Sequence, residues 1–142
     1  MTKINKSFFD GQEVLFVGFS EKEKVFCEMV YKAFSDNGIK VYPMNNRKDA
    51  SFDRKVYAEF TELPSVPETA YVLLNRENTK KTVTELADRG VRKIMFQGKK
   101  NVDPETLDKC KELGIEAVIA CPMMIFGKGF HKIHAFFAGV RT

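Results

Sequence analysis

Glu13-Val14-Leu15-Phe16-Val17-Gly18-Phe19-Ser20 is an apolar run of strand length that closes on a glycine and a serine. After Glu21-Lys22-Glu23-Lys24 the period changes. Val25, Phe26, Met29, Val30, Ala33 and Phe34 recur as pairs four residues apart, the spacing of one helix face. The segment therefore reads as a strand over about residues 13–19, a tight turn, and a helix that runs to Asn37, where Asn37-Gly38 supplies a left-handed stop. Gly18 permits backbone angles that a side chain forbids, and Ser20 is placed to cap the helix by accepting a hydrogen bond from one of its unpaired amides. The remaining amides and the positive end of the helix dipole face whatever lies above the strand ends, so the expected ligand carries phosphate.

Working outward, Ser7 to Gln12 predicts a short turn or helix before the first strand. Ile39-Lys40-Val41-Tyr42-Pro43 predicts a second strand, and Met44-Asn45-Asn46-Arg47-Lys48 leaves the sheet as a polar, partly basic loop. From Asp49 to Pro67 the pattern is irregular, with a small strand at Lys55-Val56-Tyr57; Leu63-Pro64 and Val66-Pro67 hold the residues before proline out of helix, so this is a loop-rich crossover. Ala70-Tyr71-Val72-Leu73-Leu74 is a buried strand that ends at Asn75-Arg76, and Asn78 or Thr79 then caps a helix with Val83, Leu86 and Ala87 inward. Lys93 to Gln97 is the next strand, turned by Gly98. Asp103-Pro104-Glu105 starts a helix with a capping acid and a proline at the first helical position, and Leu107, Cys110 and Leu113 form its inner stripe. Ile115 to Ala120 is the last strand and runs into Cys121-Pro122. Phe130, Ile133, Phe137 and Val140 predict a final amphipathic helix.

Strand and helix alternate along nearly the whole chain, which implies an α/β fold: a three-layer Rossmann-like parallel sheet of about five or six strands, helices on both faces, and an extra C-terminal helix. At 142 residues the expectation is one domain over 1–142, with its core in 13–122 and the C-terminal helix over about 129–140. Lys and Arg (23) outnumber Asp and Glu (19), a formal net charge of +4, but the basic residues are scattered, so a nucleic-acid surface is not expected. Cys27, Cys110 and Cys121 are an odd number with no metal-ligand spacing, the usage of a reducing cytoplasm. The N-terminus leads into no hydrophobic signal segment, and the longest apolar run, Ala117 to Phe126, is interrupted by Pro122. Neither suits a membrane.

In a parallel sheet every strand's carboxyl end points to one rim, with its crevice where strand order reverses. That rim gathers Gly18, Phe19 and Ser20, Asn45 and Asn46, Asn75 and Arg76, Gln97 and Gly98, and Cys121 and Pro122. Each alone is an ordinary turn residue or surface charge; five strand ends carrying such groups point to a binding site. The dinucleotide fingerprint Gly-x-Gly-x-x-Gly falls on Gly18, Ser20 and Glu23 and keeps one glycine of three, and no acid closes the second strand to hold ribose hydroxyls. NAD is disfavoured. Asn46-Arg47-Lys48 suits a ribose phosphate, which NADP and coenzyme A both carry. No tyrosine is followed by a lysine four residues on, as one large reductase family requires, and His131 and His134 lie together on the last helix, away from a nucleophile on the rim. A binding role fits these residues better than catalysis, and neither catalytic nor metal-ligating residues are assigned.

Taken in order, Val17-Gly18-Phe19-Ser20, Val41-Tyr42-Pro43-Met44-Asn45, Lys55-Val56-Tyr57, Asn75-Arg76, Phe96-Gln97-Gly98 and Ala120-Cys121-Pro122-Met123-Met124 resemble the small stand-alone CoA-binding domain proteins over nearly the whole chain. The ending Cys-Pro-Met-Met followed by Gly-Phe-His-Lys-Ile-His resembles a branch of that family with an extra C-terminal helix. The resemblance implies that Gly18 to Ser20 is the phosphate turn and that Asn45, Arg76, Gln97 and Cys121 line a crevice for coenzyme A or an acyl-CoA. Many members follow the turn with a proline and an arginine; here Glu21-Lys22-Glu23-Lys24 stands instead, and Lys22 or Lys24 supplies the cation. Two alternatives stay open: an NADP-binding small oxidoreductase, and an interaction module without a small ligand. The second draws on Phe130, Ile133, Phe136, Phe137 and Val140, an apolar surplus that also predicts a homodimer through the C-terminal helix.

Overall fold

In the computed structural model, residues 6–9, 12–20, 22–45 and 55–126 are described. A 3-10 turn, Lys6–Phe9, precedes strand β1, Glu13–Val17; helix α1, Lys24–Asp36, leads to β2, Lys40–Met44. The crossover holds a 3-10 turn, Phe60–Glu62, before β3, Thr69–Val72, and α2, Arg76–Asp88. Then come β4, Lys93–Phe96, a 3-10 turn at Lys99–Asn101, α3, Pro104–Glu112, β5, Glu116–Ile119, and a short α4, Pro122–Phe126. The strands form one parallel sheet in the order β2-β1-β3-β4-β5, so strand order reverses between β1 and β3. The expected Rossmann-like α/β fold is the fold observed.

Strand register explains the two layers of core. Phe16 pairs with Tyr71, Tyr71 with Met95 and Met95 with Val118, a row across the sheet that packs under Cys27, Val30 and Phe34 of α1, with Phe9 and Ile125. Leu15, Ala70 and Ile94 form the next row, and side chains alternate along a strand, so this row faces Val83 and Leu86 of α2 and Cys110 of α3. Near β1 and β2 on that second face the cover comes from the crossover: Tyr57, Phe60, Leu63 and Val66 pack there. No regular α-helix lies between β2 and β3 among the described residues.

The structure departs from expectation at element ends. β1 stops at Val17, because Gly18 turns the chain with φ +98° and Phe19 carries its ring into the core, 5.1 Å from that of Phe16. Ser20 does not cap α1: its Oγ accepts from the Lys22 amide (3.0 Å), a local turn, and the helix starts later, behind Glu23, which makes no side-chain cap bond. Pro43 lies inside β2 and does not close it. It is tolerated there because β2 is an edge strand, and its carbonyl accepts from Tyr57 (2.8 Å) as the crossover adds one bridge at Met44. Asn75, not Asn78 or Thr79, caps α2, its side chain accepting from the Asn78 amide (2.8 Å). Asp103 caps α3 as expected, accepting from the Thr106 amide (2.8 Å), with Pro104 at the first position. Helix α4 was not expected, and the C-terminal helix predicted over about 129–140 lies outside the described residues, as do Asn46, His131 and His134.

Candidate functional site

At the reversal between β1 and β3 the backbone itself is nearly touching. A Cβ built on Gly18 would sit 2.2 Å from the Leu73 carbonyl oxygen. The turn is fastened from the other side as well, where the Gly18 and Phe19 amides both donate to the Met44 carbonyl (3.0 and 3.1 Å) and Asn45 Nδ2 donates to the Phe19 carbonyl (2.7 Å). Under it, the Ser20 amide donates to Cys27 Sγ (3.4 Å). Burial pushes the Cys27 thiol above its ordinary value, with the Ser20 amide pulling partly against it. The amides of the glycine turn are thus spent within the protein. What they hold in place is the edge of a cleft.

That cleft has a volume of about 700 Å³ and is lined by Gly18, Ser20, Lys22 and Glu23 from the first turn, Met44 and Asn45 after β2, and Leu73, Leu74 and Asn75 after β3. Its second wall is a stripe of α2, Asn78, Lys81, Thr82 and Glu85, with Arg89 just past the helix end, facing Ala58, Glu59, Phe60 and Thr61 of the crossover. The size is that of a small-ligand site. The groove runs down the flank of α2 because the crossover, not a helix, covers this part of the sheet. At its far end the Arg89 guanidinium lies 5.2 Å from the Phe60 ring centroid. Lys22, Lys81 and Arg89 are balanced by Glu23, Glu59 and Glu85. The site is charged but not uniformly basic, which suits a ligand with polar groups of more than one kind.

Of the residues expected on the rim, Gly18, Ser20, Lys22, Asn45 and Asn75 line this cleft. Phe19 is on the turn, but its ring is fully buried in the core. Arg76 turns the other way: its Nε and Nη2 donate to the Lys99 carbonyl (3.1 and 2.8 Å), clasping the turn after β4. Gln97 stands at the end of β4 with its Oε1 accepting from the Tyr71 hydroxyl. Gly98 begins the 3-10 turn, Cys121 is half-buried after β5, and Pro122 is buried at the start of α4. The rim is therefore shared between the β1–β3 cleft and the β4 turn. Sequence reasoning missed Lys81, Arg89 and Phe60. The α2 stripe was there to be found as polar residues at helical spacing, whereas Phe60 sits in an irregular stretch that gives no periodic signal.

Among the described residues no group of His, Cys, Asp and Glu is arranged to hold a metal ion, and no helix is long and apolar enough to cross a membrane.

The sequence model of the family described as the CoA binding domain matches residues 12–127. The chain belongs to that family. A curated relative, the alpha subunit of ADP-forming acetate–CoA ligase II from Pyrococcus furiosus, is 27% identical over 90 residues, which are 63% of this chain and 20% of the relative. The match thus spans about a fifth of that relative's length. Among solved structures, a hypothetical protein from Pyrococcus horikoshii matches with a TM-score of 0.68 at 22% identity, covering 87% of this chain and 92% of the other. A conserved hypothetical protein from Pyrococcus furiosus matches with a TM-score of 0.63 at 20% identity, covering 84% and 96%. These likenesses show the fold.

Proposed function

We propose that the chain binds coenzyme A or an acyl-CoA across the carboxyl-end rim of its sheet, as a binding protein without a chemical step of its own. The observation that carries this reading is the cleft at the strand-order reversal, walled by the Gly18 turn and the start of α2, in a chain whose matched span is a CoA-binding domain. In this reading the phosphates lie at the N-terminal end of α1 beside Ser20 and Lys22, with Lys81 opposite, where helix dipole and ammonium groups favour negative charge. Asn45 and Asn75 shape the mouth, and Asn46 is the residue after Asn45 in the sequence. From there the ligand crosses the Leu73–Leu74 wall toward Arg76, Gln97, Gly98, Cys121 and Pro122. Three unpaired cysteines accord with a reducing cytoplasm.

Calorimetry with CoA, NADP and ADP tests the assignment. CoA should bind most tightly; tight NADP binding with no response to CoA would make the protein an NADP binder instead. Homodimerisation is a separate part of the proposal, resting on Phe130, Ile133, Phe136, Phe137 and Val140, and light scattering before and after truncation at Lys128 tests it. A monomer in both cases removes it.

A further inference from the structure

Helix α1 carries more apolar surface than the sheet covers. Its buried side is Cys27, Val30 and Phe34, whereas Val25 and Met29 are 77% and 46% exposed, the two large apolar side chains that lie open among the described residues. At about 100° of turn per residue they stand on the side of the helix opposite that buried stripe, and Phe26 and Ala33, both half-buried, fill the flank between. Phe26 still packs against the core beneath α1. Core side, flank and outer face thus form one continuous apolar band, which accounts for the pairs Val25-Phe26, Met29-Val30 and Ala33-Phe34 where a helix with one covered face needs a single stripe. A lone exposed apolar residue is ordinary on a protein surface. Two of them one helical turn apart, continuous with the core, mark a face that a further element covers.

Helix α4 indicates which element that is. Phe126, its last residue, packs its ring 5.6 Å from that of Phe34 on α1 and 5.8 Å from that of Phe9, so the chain leaves α4 against α1. In the sequence beyond, Phe130, Ile133, Phe137 and Val140 follow Phe126 at steps of four, three, four and three, the period that keeps one side of a helix against one neighbour. A helix over 127–140 is about 21 Å long, and Val25 lies about 14 Å along α1 from Phe34, so the reach suffices. A second copy is the poorer occupant: two exposed side chains and a half-covered flank are far less than the roughly 800 Å² per partner that a stable dimer buries, whereas a tethered segment docks at high effective concentration. We propose that residues 127–140 dock on the Val25–Met29 face of their own α1 through Phe130, Ile133, Phe137 and Val140. Phe136 falls outside that spacing, so a homodimer through this helix would meet Phe136 rather than the stripe. The start of α1 adjoins Lys22 and Glu23 at the edge of the cleft, and the docked segment braces that helix. None of this depends on which ligand the cleft takes.

The test is limited trypsin digestion of the full chain, with mass spectrometry reading the bond after Lys132 and, as internal control, the bond after Lys93 inside β4, which opens only when the whole fold does. Val25→Ser with Met29→Gln removes the receiving face and touches no buried residue. Phe130→Ser with Phe137→Ser removes the docking stripe. Each pair should speed cleavage after Lys132 by about tenfold over wild type, at a rate independent of protein concentration and with no change after Lys93, and the four substitutions together should be no faster than either pair. Equal rates in wild type and either variant, fast or slow, would overturn the proposal. Effects of the two pairs that multiply would overturn it as well, since they would then act separately, and so would equal acceleration after Lys93, which would place them on the whole fold. Protection that grows with protein concentration would also overturn it, and would seat a second copy on α1.

Discussion

Gly18 and Gly98 both end a buried strand, yet they answer to different constraints. At Gly18 the backbone lies at φ +98° and a methyl group would stand 2.2 Å from a carbonyl oxygen and 2.9 Å from its carbon. Neither partner is the end of a flexible side chain, so the sheet itself would have to part. Gly18→Ala is expected to cost about 3 kcal/mol or more from backbone strain and overpacking together, read as a drop in the denaturant midpoint. Gly98→Ala meets ordinary van der Waals distances and should stay within about 0.5 kcal/mol of wild type. The sequence pointed to both glycines as turn formers, but the difference between them depends on Leu73 after the neighbouring strand β3, more than fifty residues on in the chain, and is invisible locally. Arg76 carries a similar lesson. Its place on the rim was legible, and in the structure its guanidinium holds the Lys99 carbonyl and so fastens the turn at Lys99–Asn101. Arg76→Ala is therefore expected to weaken CoA by about fivefold through that turn, with adenosine 3′,5′-bisphosphate, which lacks the pantetheine arm, unaffected. Equal loss of both ligands would put the guanidinium on the phosphate.

Helix starts show how far local chemistry reaches. Asp103-Pro104 was readable because every part of it is local: a carboxylate for the Thr106 amide and a ring whose missing N–H would have gone unpaired anyway. That cap bond holds the Asp103 carboxyl below its ordinary value. Its contribution is therefore present at neutral pH and is lost as pH falls through the lowered value. The start of α1 was misread because Ser20 had two local options, and its hydroxyl took the Lys22 amide while its own amide went to Cys27. The start of α2 was misread by one turn because Asn75 and Asn78 are both good caps, and the choice falls to where β3 ends. Asn75 now combines two jobs, as cap of α2 and as lining of the cleft. Asn75→Ala should destabilise by about 1 kcal/mol in thermal unfolding, while Asn75→Asp keeps the cap and tests the cleft alone, since it adds a negative charge to the cleft in which the proposed ligand's phosphates would lie. Weaker CoA binding with unchanged stability is the outcome expected of Asn75→Asp. Helix α4 could not be read at all, because five apolar residues hold no period.

At the scale of the molecule, alternation of strand and helix was enough for a parallel sheet with helices on both faces, and the reversal of strand order placed the rim. What it could not place was the groove down the flank of α2, because the crossover that walls it has no periodicity and its packing partners, Tyr42 and Met44, lie on the edge strand. The same two-faced sheet buries a titratable side chain in each layer, Cys27 and Tyr71 beneath α1 and Cys110 beneath α3. Burial raises all three, and Cys110 moves from an ordinary value of 9.0 to about 11. The uncharged form is the one the core accepts. An unfolded chain releases its thiol protons near the ordinary value while the folded chain still holds them, so the unfolded state gains stability with each step in pH across that interval. Stability that is complete below pH 9 is expected to fall steadily toward pH 11, with no corresponding loss on the way from pH 9 to pH 7. Denaturant midpoints measured across this range check it, with Cys110→Ala as the control: a small cavity lowers its stability at neutral pH, and its slope above pH 9 should be shallower than that of wild type. Parallel slopes in the two proteins would mean that Cys110 titrates alike in the folded and unfolded chain, and that the layer beneath α3 admits water.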